Sequence, residues 1–197
     1  MGLLVKRVLD GWVAALLLLI LLPVLLLLAL LVRASSPGPV LYVQERVGRR
    51  GRPFRMIKFR TMTVGSDAVT TRLHRDDPRI TPVGRWLRRF SLDELPQLFN
   101  VLAGEMSLVG PRPAPTRVVE RMSPAQRRRL AVRPGLTGWA QVQGRNTLPW
   151  ADRIVLDLWY VDHWSLWLDL QILYRTVAVV LRGTGLYGPD GWNRGYR

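Results

Sequence analysis

Arg85–Pro113 reads R-W-L-R-R-F-S-L-D-E-L-P-Q-L-F-N-V-L-A-G-E-M-S-L-V-G-P-R-P. It sets two adjacent carboxylates, Asp93 and Glu94, just after an arginine cluster of Arg85, Arg88 and Arg89. Apolar residues at Trp86, Leu87, Phe90, Leu92, Leu95, Leu98 and Phe99 surround both groups. Ser91 and Glu94 have the S-x-x-E spacing of a capping box, which predicts a helix from Ser91. Pro96 lacks an N–H and offers a second start, or a kink. Either start puts the carboxylates where free backbone N–H groups and the helix dipole favour negative charge, and where an anionic ligand could dock. Acidic residues at a helix start are also ordinary capping. The clustered arginines and the turn Gly110-Pro-Arg-Pro113 favour a phosphate and metal site instead.

Charge points the same way. Among 197 residues, 29 Lys+Arg face 14 Asp+Glu, a net charge of +15. Such a balance calls for an anionic partner: nucleic acid, an acidic membrane surface or a phosphorylated substrate. No helix-turn-helix, zinc-finger or RNA-recognition signature is present, so nucleic acid is not expected. The chain has no Cys, which excludes disulfides and cysteine-based zinc sites. His74 and His163 have no zinc-motif spacing. A hard cation such as Mg²⁺, held by carboxylate and phosphate oxygens, remains open.

Upstream, Gly11 to Val32 is almost wholly apolar. As a helix it would reach about 33 Å at roughly 1.5 Å per residue, enough for a hydrocarbon core of about 30 Å. The run is long for a signal peptide, and Arg33-Ala-Ser-Ser-Pro37 is a poor cleavage site, so a retained membrane element is expected. Pro23 lies at its midpoint. Lys6 and Arg7 precede the run, and Arg33, Arg46, Arg49, Arg50, Arg52, Arg55, Lys58 and Arg60 follow it. Cytoplasmic preference of both clusters suits a hairpin-like helix broken at Pro23; a simple span satisfies only the larger cluster. The residues alone leave both readings open.

Downstream, Ser35 to Pro39 is a linker. Val40 to Val47 and Phe54 to Thr61 alternate as short strands around the basic turn Gly48 to Pro53. Thr63 to Thr81 reads as loop, with Asp76-Asp77-Pro78 a turn. Helical spacing recurs over Val83–Phe90, Thr116–Leu130 (one helix or two), Ala151–Asp162 and Trp164–Arg182. Gly104 is placed to end the helix of the central stretch. The run Arg127-Arg128-Arg129 could lie on acidic headgroups, and the tryptophans of the last helix favour a membrane interface. Val132–Gly144 reads as turns around a strand, its glycines permitting close backbone approach. The expected fold is α+β, helix-dominated with a few short strands. A membrane helix (1–34) precedes a catalytic domain (35–182) and a flexible tail (183–197).

Taken together, the motifs resemble the bacterial sugar transferase family, the monotopic phosphoglycosyl transferases. The resemblance rests on Ser36-Pro-Gly-Pro-Val40, Gln44-Glu-Arg-Val-Gly48, Lys58-Phe-Arg-Thr-Met62, Ser91-Leu-Asp-Glu-Leu-Pro-Gln97, Met106-Ser-Leu-Val-Gly-Pro-Arg-Pro113 and Arg133-Pro-Gly-Leu-Thr-Gly138. It implies transfer of a sugar 1-phosphate from a UDP-sugar to polyprenyl phosphate, with UMP released and Mg²⁺ required. It implies Asp93 as nucleophile and metal ligand, and Glu94 as an aid to the second half-reaction. It also implies a re-entrant N-terminal helix with both ends at the cytoplasmic face of the bacterial inner membrane. Where the family often carries Ser-Pro at the helix break, this chain has Leu22-Pro23. Arg88 and Arg112 are the phosphate-binding candidates, since guanidinium matches phosphate bidentately. Pro111, Lys58, Arg60, Arg145 and Asp157 are further substrate-binding candidates. An interhelical charge pair would explain Asp157 equally well, and Lys58 and Arg60 could instead structure their motif. The sequence leaves a homodimer open.

Overall fold

The computed structural model describes residues 2–65, 73–183 and 185–194. It is helix-dominated with a few short strands. Helix α1, Gly2–Ser35, runs 34 residues and contains Pro23. The resemblance implies a break there, one of the two readings the residues left open; the helix is continuous across it. Proline removes one N–H from the ladder, and membrane-type helices tolerate that loss. Among the described residues α1 is the one helix long and apolar enough to cross a membrane.

One face of α1 is buried along its whole length. Its buried residues, Lys6, Asp10, Ala14, Leu25, Leu28 and Val32, recur at helical spacing. Ala14 joins a core with Phe54, Met56, Val101, Met106 and Ile172. Leu28 and Val32 pack with Phe59 and Leu87. Burying side chains of this size stabilises by about 1.5–3 kcal/mol each. Both halves of α1 therefore rest on the same domain. The opposite face exposes Trp12, Leu16, Leu19, Ile20, Leu26, Leu27 and Leu30.

Strands β1 (Leu41–Val47) and β2 (Pro53–Phe59) form an antiparallel hairpin, with Leu41 opposite Phe59 and Val47 opposite Pro53. Helix α2 (Pro82–Arg89) is capped by Thr81, whose hydroxyl accepts from the Gly84 N–H. Helix α3 (Gln97–Ala103) ends at Gly104, whose φ of 84° is left-handed. Arg7 donates to the carbonyls of Val101 and Leu102 at 2.9 and 2.8 Å, which ties the start of α1 to the end of α3.

Strand β3 (Ser107–Val109) pairs in parallel with β4 (Gly135–Thr137). The approach is close: a Cβ on Gly135 would lie 2.1 Å from the Gly110 nitrogen. Between these strands lie two short helices, α4 (Thr116–Glu120) and α5 (Pro124–Arg127). One turn of helix, α6 (Trp139–Gln143), follows β4 where turns were expected. Helices α7 (Trp150–Asp162) and α8 (Leu166–Arg182) complete the fold. Trp167, Leu170, Tyr174, Val177 and Leu181 make an exposed apolar stripe on α8.

The tail read as flexible is tied down over residues 185–194. The Asn146 N–H donates to the Gly185 carbonyl, and the Arg194 N–H to the Asn146 carbonyl, both at 2.9 Å. Asn193 and Leu73 exchange two bonds, at 3.0 and 2.9 Å.

Candidate active site

The central stretch folds differently from a capping box. Ser91 is left-handed (φ 56°) and caps nothing. Residues Leu92–Glu94 form a separate turn of 3-10 helix, and α3 begins only after Pro96. The Ser91 hydroxyl instead accepts a hydrogen bond from Arg145. That bond joins the acidic turn to the loop after α6.

Asp93, Glu94, Lys58, Arg88, Arg112 and Arg145 line one pocket. Arg112 donates to both Glu94 oxygens, one bond at 3.0 Å and a shorter one to Oε1. Burial pushes the Glu94 carboxyl up. The Arg112 charge and hydrogen bonds, reinforced by Lys58 and Arg145, outweigh it and hold Glu94 at about 2. Asp93 is buried, and among the described residues nothing donates a hydrogen bond to its carboxylate. Burial and the Glu94 charge push it above the ordinary range, against the pull of Lys58, Arg88 and Arg112. Lys58 is lowered to about 8, chiefly by burial and also by Arg88 and Arg46, with Asp93 opposing. Arg88 Nη1 is buried with no hydrogen-bond partner. A buried guanidinium nitrogen in that state is a ready anion donor. Of the predicted arginine cluster only Arg88 reaches the pocket; Arg85 and Arg89 do not line it.

Two of the substrate-binding candidates are engaged by the protein itself, although Asp157 also lines the pocket. Arg60 donates to the Pro37 carbonyl at 2.8 Å and the Ser36 carbonyl at 2.7 Å, pinning the linker after α1. It also edges a groove beside the pocket. Asp157 receives two bonds from Arg129, at 3.0 and 2.6 Å, in a pair almost wholly buried. The interhelical pair is thus the better description of Asp157. Arg129 also donates to the Arg112 carbonyl at 2.7 Å, so the pair holds the backbone of the arginine that grips Glu94. Pro111 shapes the same turn, its carbonyl accepting from the Gly135 N–H at 3.0 Å.

Sequence reading missed Arg129, Gln141, Asn146, Trp150 and Arg153, all of which line the pocket. Arg129 sat in a basic run read as able to lie on acidic headgroups. Gln141 lies on a helix too short to show a period. Beside the pocket, the groove carries Arg46, Lys58, Arg79, Arg88, Arg112 and Arg117, and no carboxylate among the described residues.

Mg²⁺ fits here only in company with a substrate. Among the described residues no three acidic or imidazole groups cluster, and both Glu94 oxygens are taken by Arg112. Asp93 remains the open carboxylate. Magnesium is commonly held by one or two carboxylates plus substrate phosphates, and that donor set is what the pocket could provide.

The profile of the family described as bacterial sugar transferase matches residues 1–183. The uncharacterized sugar transferase EpsL of Bacillus subtilis is 45% identical over 93% of this chain and 91% of its own length. The UDP-glucose:undecaprenyl-phosphate glucose-1-phosphate transferase of Escherichia coli is 46% identical, over 88% of this chain but 39% of its own. The undecaprenyl-phosphate galactose phosphotransferase of Salmonella typhimurium is also 46% identical, over 76% of this chain and 35% of its own. The chain thus spans nearly all of the small relative and under half of each larger one. By the match along almost its whole length, this chain belongs to the bacterial sugar transferase family.

Proposed function

We propose that the chain transfers a sugar 1-phosphate from a UDP-sugar to polyprenyl phosphate at the cytoplasmic face of a membrane, through a phosphosugar–Asp93 intermediate. The observation that carries this reading is the contrast between neighbours: Glu94 is locked by Arg112, while Asp93 is buried with its carboxylate unbonded.

An Asp93 oxygen attacks the phosphorus that bears the sugar. A new P–O bond forms, the bond to the bridging oxygen breaks, and UMP leaves with that electron pair. A lipid phosphate oxygen then attacks the same phosphorus. The bond to Asp93 breaks, giving polyprenyl-diphospho-sugar and restoring the carboxylate. No general base is needed, because a carboxylate and a phosphate each attack as the anion, with no proton to remove from the nucleophile. The obstacle is like charge, worth about 4 kcal/mol for unit charges at 4 Å and an effective dielectric of 20. Lys58, Arg88 and Arg112 offset it from the walls, and Arg145 holds the acidic turn through Ser91. Glu94, held ionised, orients Arg112. Mg²⁺, when bound by Asp93 and the diphosphate, would neutralise further charge. A covalent intermediate also lets a soluble donor and a lipid acceptor take turns. The apolar faces of α1 and α8 would seat the site at headgroup height, with both halves of α1 lying against the same domain.

The test is UMP release by purified protein with undecaprenyl phosphate, Mg²⁺ and a panel of UDP-sugars, beside Asp93→Asn. Release that requires lipid and metal and vanishes in the variant supports the reading. A folded protein in lipid that releases nothing from any donor contradicts it.

A further inference from the structure

Gln141 stands on α6 and lines the same pocket as Asp93 and Arg88. Its Nε2 and its Oε1 are both shut off from solvent, and neither has a hydrogen-bond partner. A buried amide with donor and acceptor both idle is costly, and native proteins tolerate few. The backbone makes room for this one. A Cβ on Gly138 would lie 2.9 Å from Gln141 Oε1 and 2.2 Å from the Gly110 carbonyl oxygen. Glycine at 138 therefore keeps open the space the amide occupies.

Besides the open Asp93 carboxylate, the pocket lining carries two buried groups without partners, and they differ in kind. Arg88 Nη1 is charged and suits phosphate. The Gln141 amide is neutral, with a donor and an acceptor side by side. Its complement is a neutral group that offers an acceptor and a donor together. A nucleotide sugar has two such groups, the hydroxyls of the sugar and the imide edge of uracil.

We propose that Gln141 reads the neutral part of the donor, hydrogen-bonding the sugar hydroxyls or the uracil edge while the arginines hold the phosphates. The inference rests on the nucleotide-sugar reading above and adds a specificity residue to it. The same site geometry explains why an enzyme would keep an unsatisfied amide: the ligand completes its bonds, and an analogue lacking the matching group leaves them idle.

The experiment is calorimetric titration of the full chain in lipid nanodiscs. Wild type, Gln141→Met and Gln141→Leu are each titrated with UDP-glucose, UDP-galactose and UMP, and the melting temperature of each is recorded. Both apolar variants are expected to melt at or above wild type, since they remove idle polar atoms. Binding of the preferred UDP-sugar is expected to weaken about tenfold or more. If UMP weakens by the same factor, the amide reads uracil; if UMP is unchanged, it reads the sugar. Variants that melt like wild type and bind every ligand within about twofold of it overturn the inference and leave the transferase reading intact. Wild type that binds no nucleotide at all overturns the donor assignment, and the inference with it.

Discussion

Arg112 donates to both carboxylate oxygens of Glu94 and thereby leaves Asp93, one residue earlier, as the carboxylate without a hydrogen-bonded cation. Two adjacent acids acquire opposite characters from this. Glu94 is held at about 2, while Asp93 is pushed up by burial and by Glu94. Arg112→Ala is expected to lower kcat/KM by about 100-fold, in line with the loss of a preorganised donor. Without the cation both carboxyls rise, so the acid limb of the pH–rate profile moves to higher pH. An acid limb that stays where it is in Arg112→Ala would count against this coupling.

Lys58 sets the alkaline side. It is cationic below its lowered pKa of about 8 and neutral above it. If Lys58 faces the donor diphosphate as proposed, turnover is expected to fall as pH rises through about 8, because that charge is lost. Lys58→Arg stays charged throughout and removes this limb. The pH–rate profiles of the two proteins check this.

Asp93→Asn should abolish turnover and stabilise the fold. A carboxyl whose folded pKa lies above its unfolded value costs stability as pH rises through that interval, and the full cost is present above the raised value. At neutral pH the variant is expected to melt a few degrees higher, since about 1 kcal/mol shifts Tm by roughly 2–4 °C at this size. The gain should shrink as pH falls into the ordinary carboxylate range. Thermal melts at several pH values measure it.

The Arg129–Asp157 pair supports the Arg112 backbone from behind. Asp157→Asn leaves a buried guanidinium unpaired and should cost about 3 kcal/mol or more. The double variant Arg129→Met with Asp157→Leu should recover much of that stability and little of the activity, since the bond to the Arg112 carbonyl is gone. A double variant as unstable as Asp157→Asn would argue against the buried-charge account.

Much of this architecture was legible in the chain. Strong periodicity located α7 and α8, and the alternation around Gly48–Pro53 located the hairpin. The misreadings have physical causes. S-x-x-E at Ser91–Glu94 has capping-box spacing, but the left-handed Ser91 turns its hydroxyl to Arg145, some fifty residues away, and a local pattern cannot register that. Three consecutive arginines look alike in sequence, yet Arg129 is buried against Asp157 while Arg128 pairs with Asp162 at the surface. Arg60 alternates like its neighbours and spends its guanidinium on linker carbonyls. Charge type was readable, and partner choice required the tertiary contacts.

If Asp93 carries the sugar phosphate between donor and acceptor, the intact mass of the protein reveals it after incubation with UDP-sugar and Mg²⁺ in the absence of lipid phosphate. The expected result is a gain of one sugar phosphate, with UMP released in equal amount, mapped to Asp93, absent from Asp93→Asn and discharged when polyprenyl phosphate is added. A protein that turns over with lipid present but never gains that mass, and releases UMP only when both substrates are bound, would contradict it.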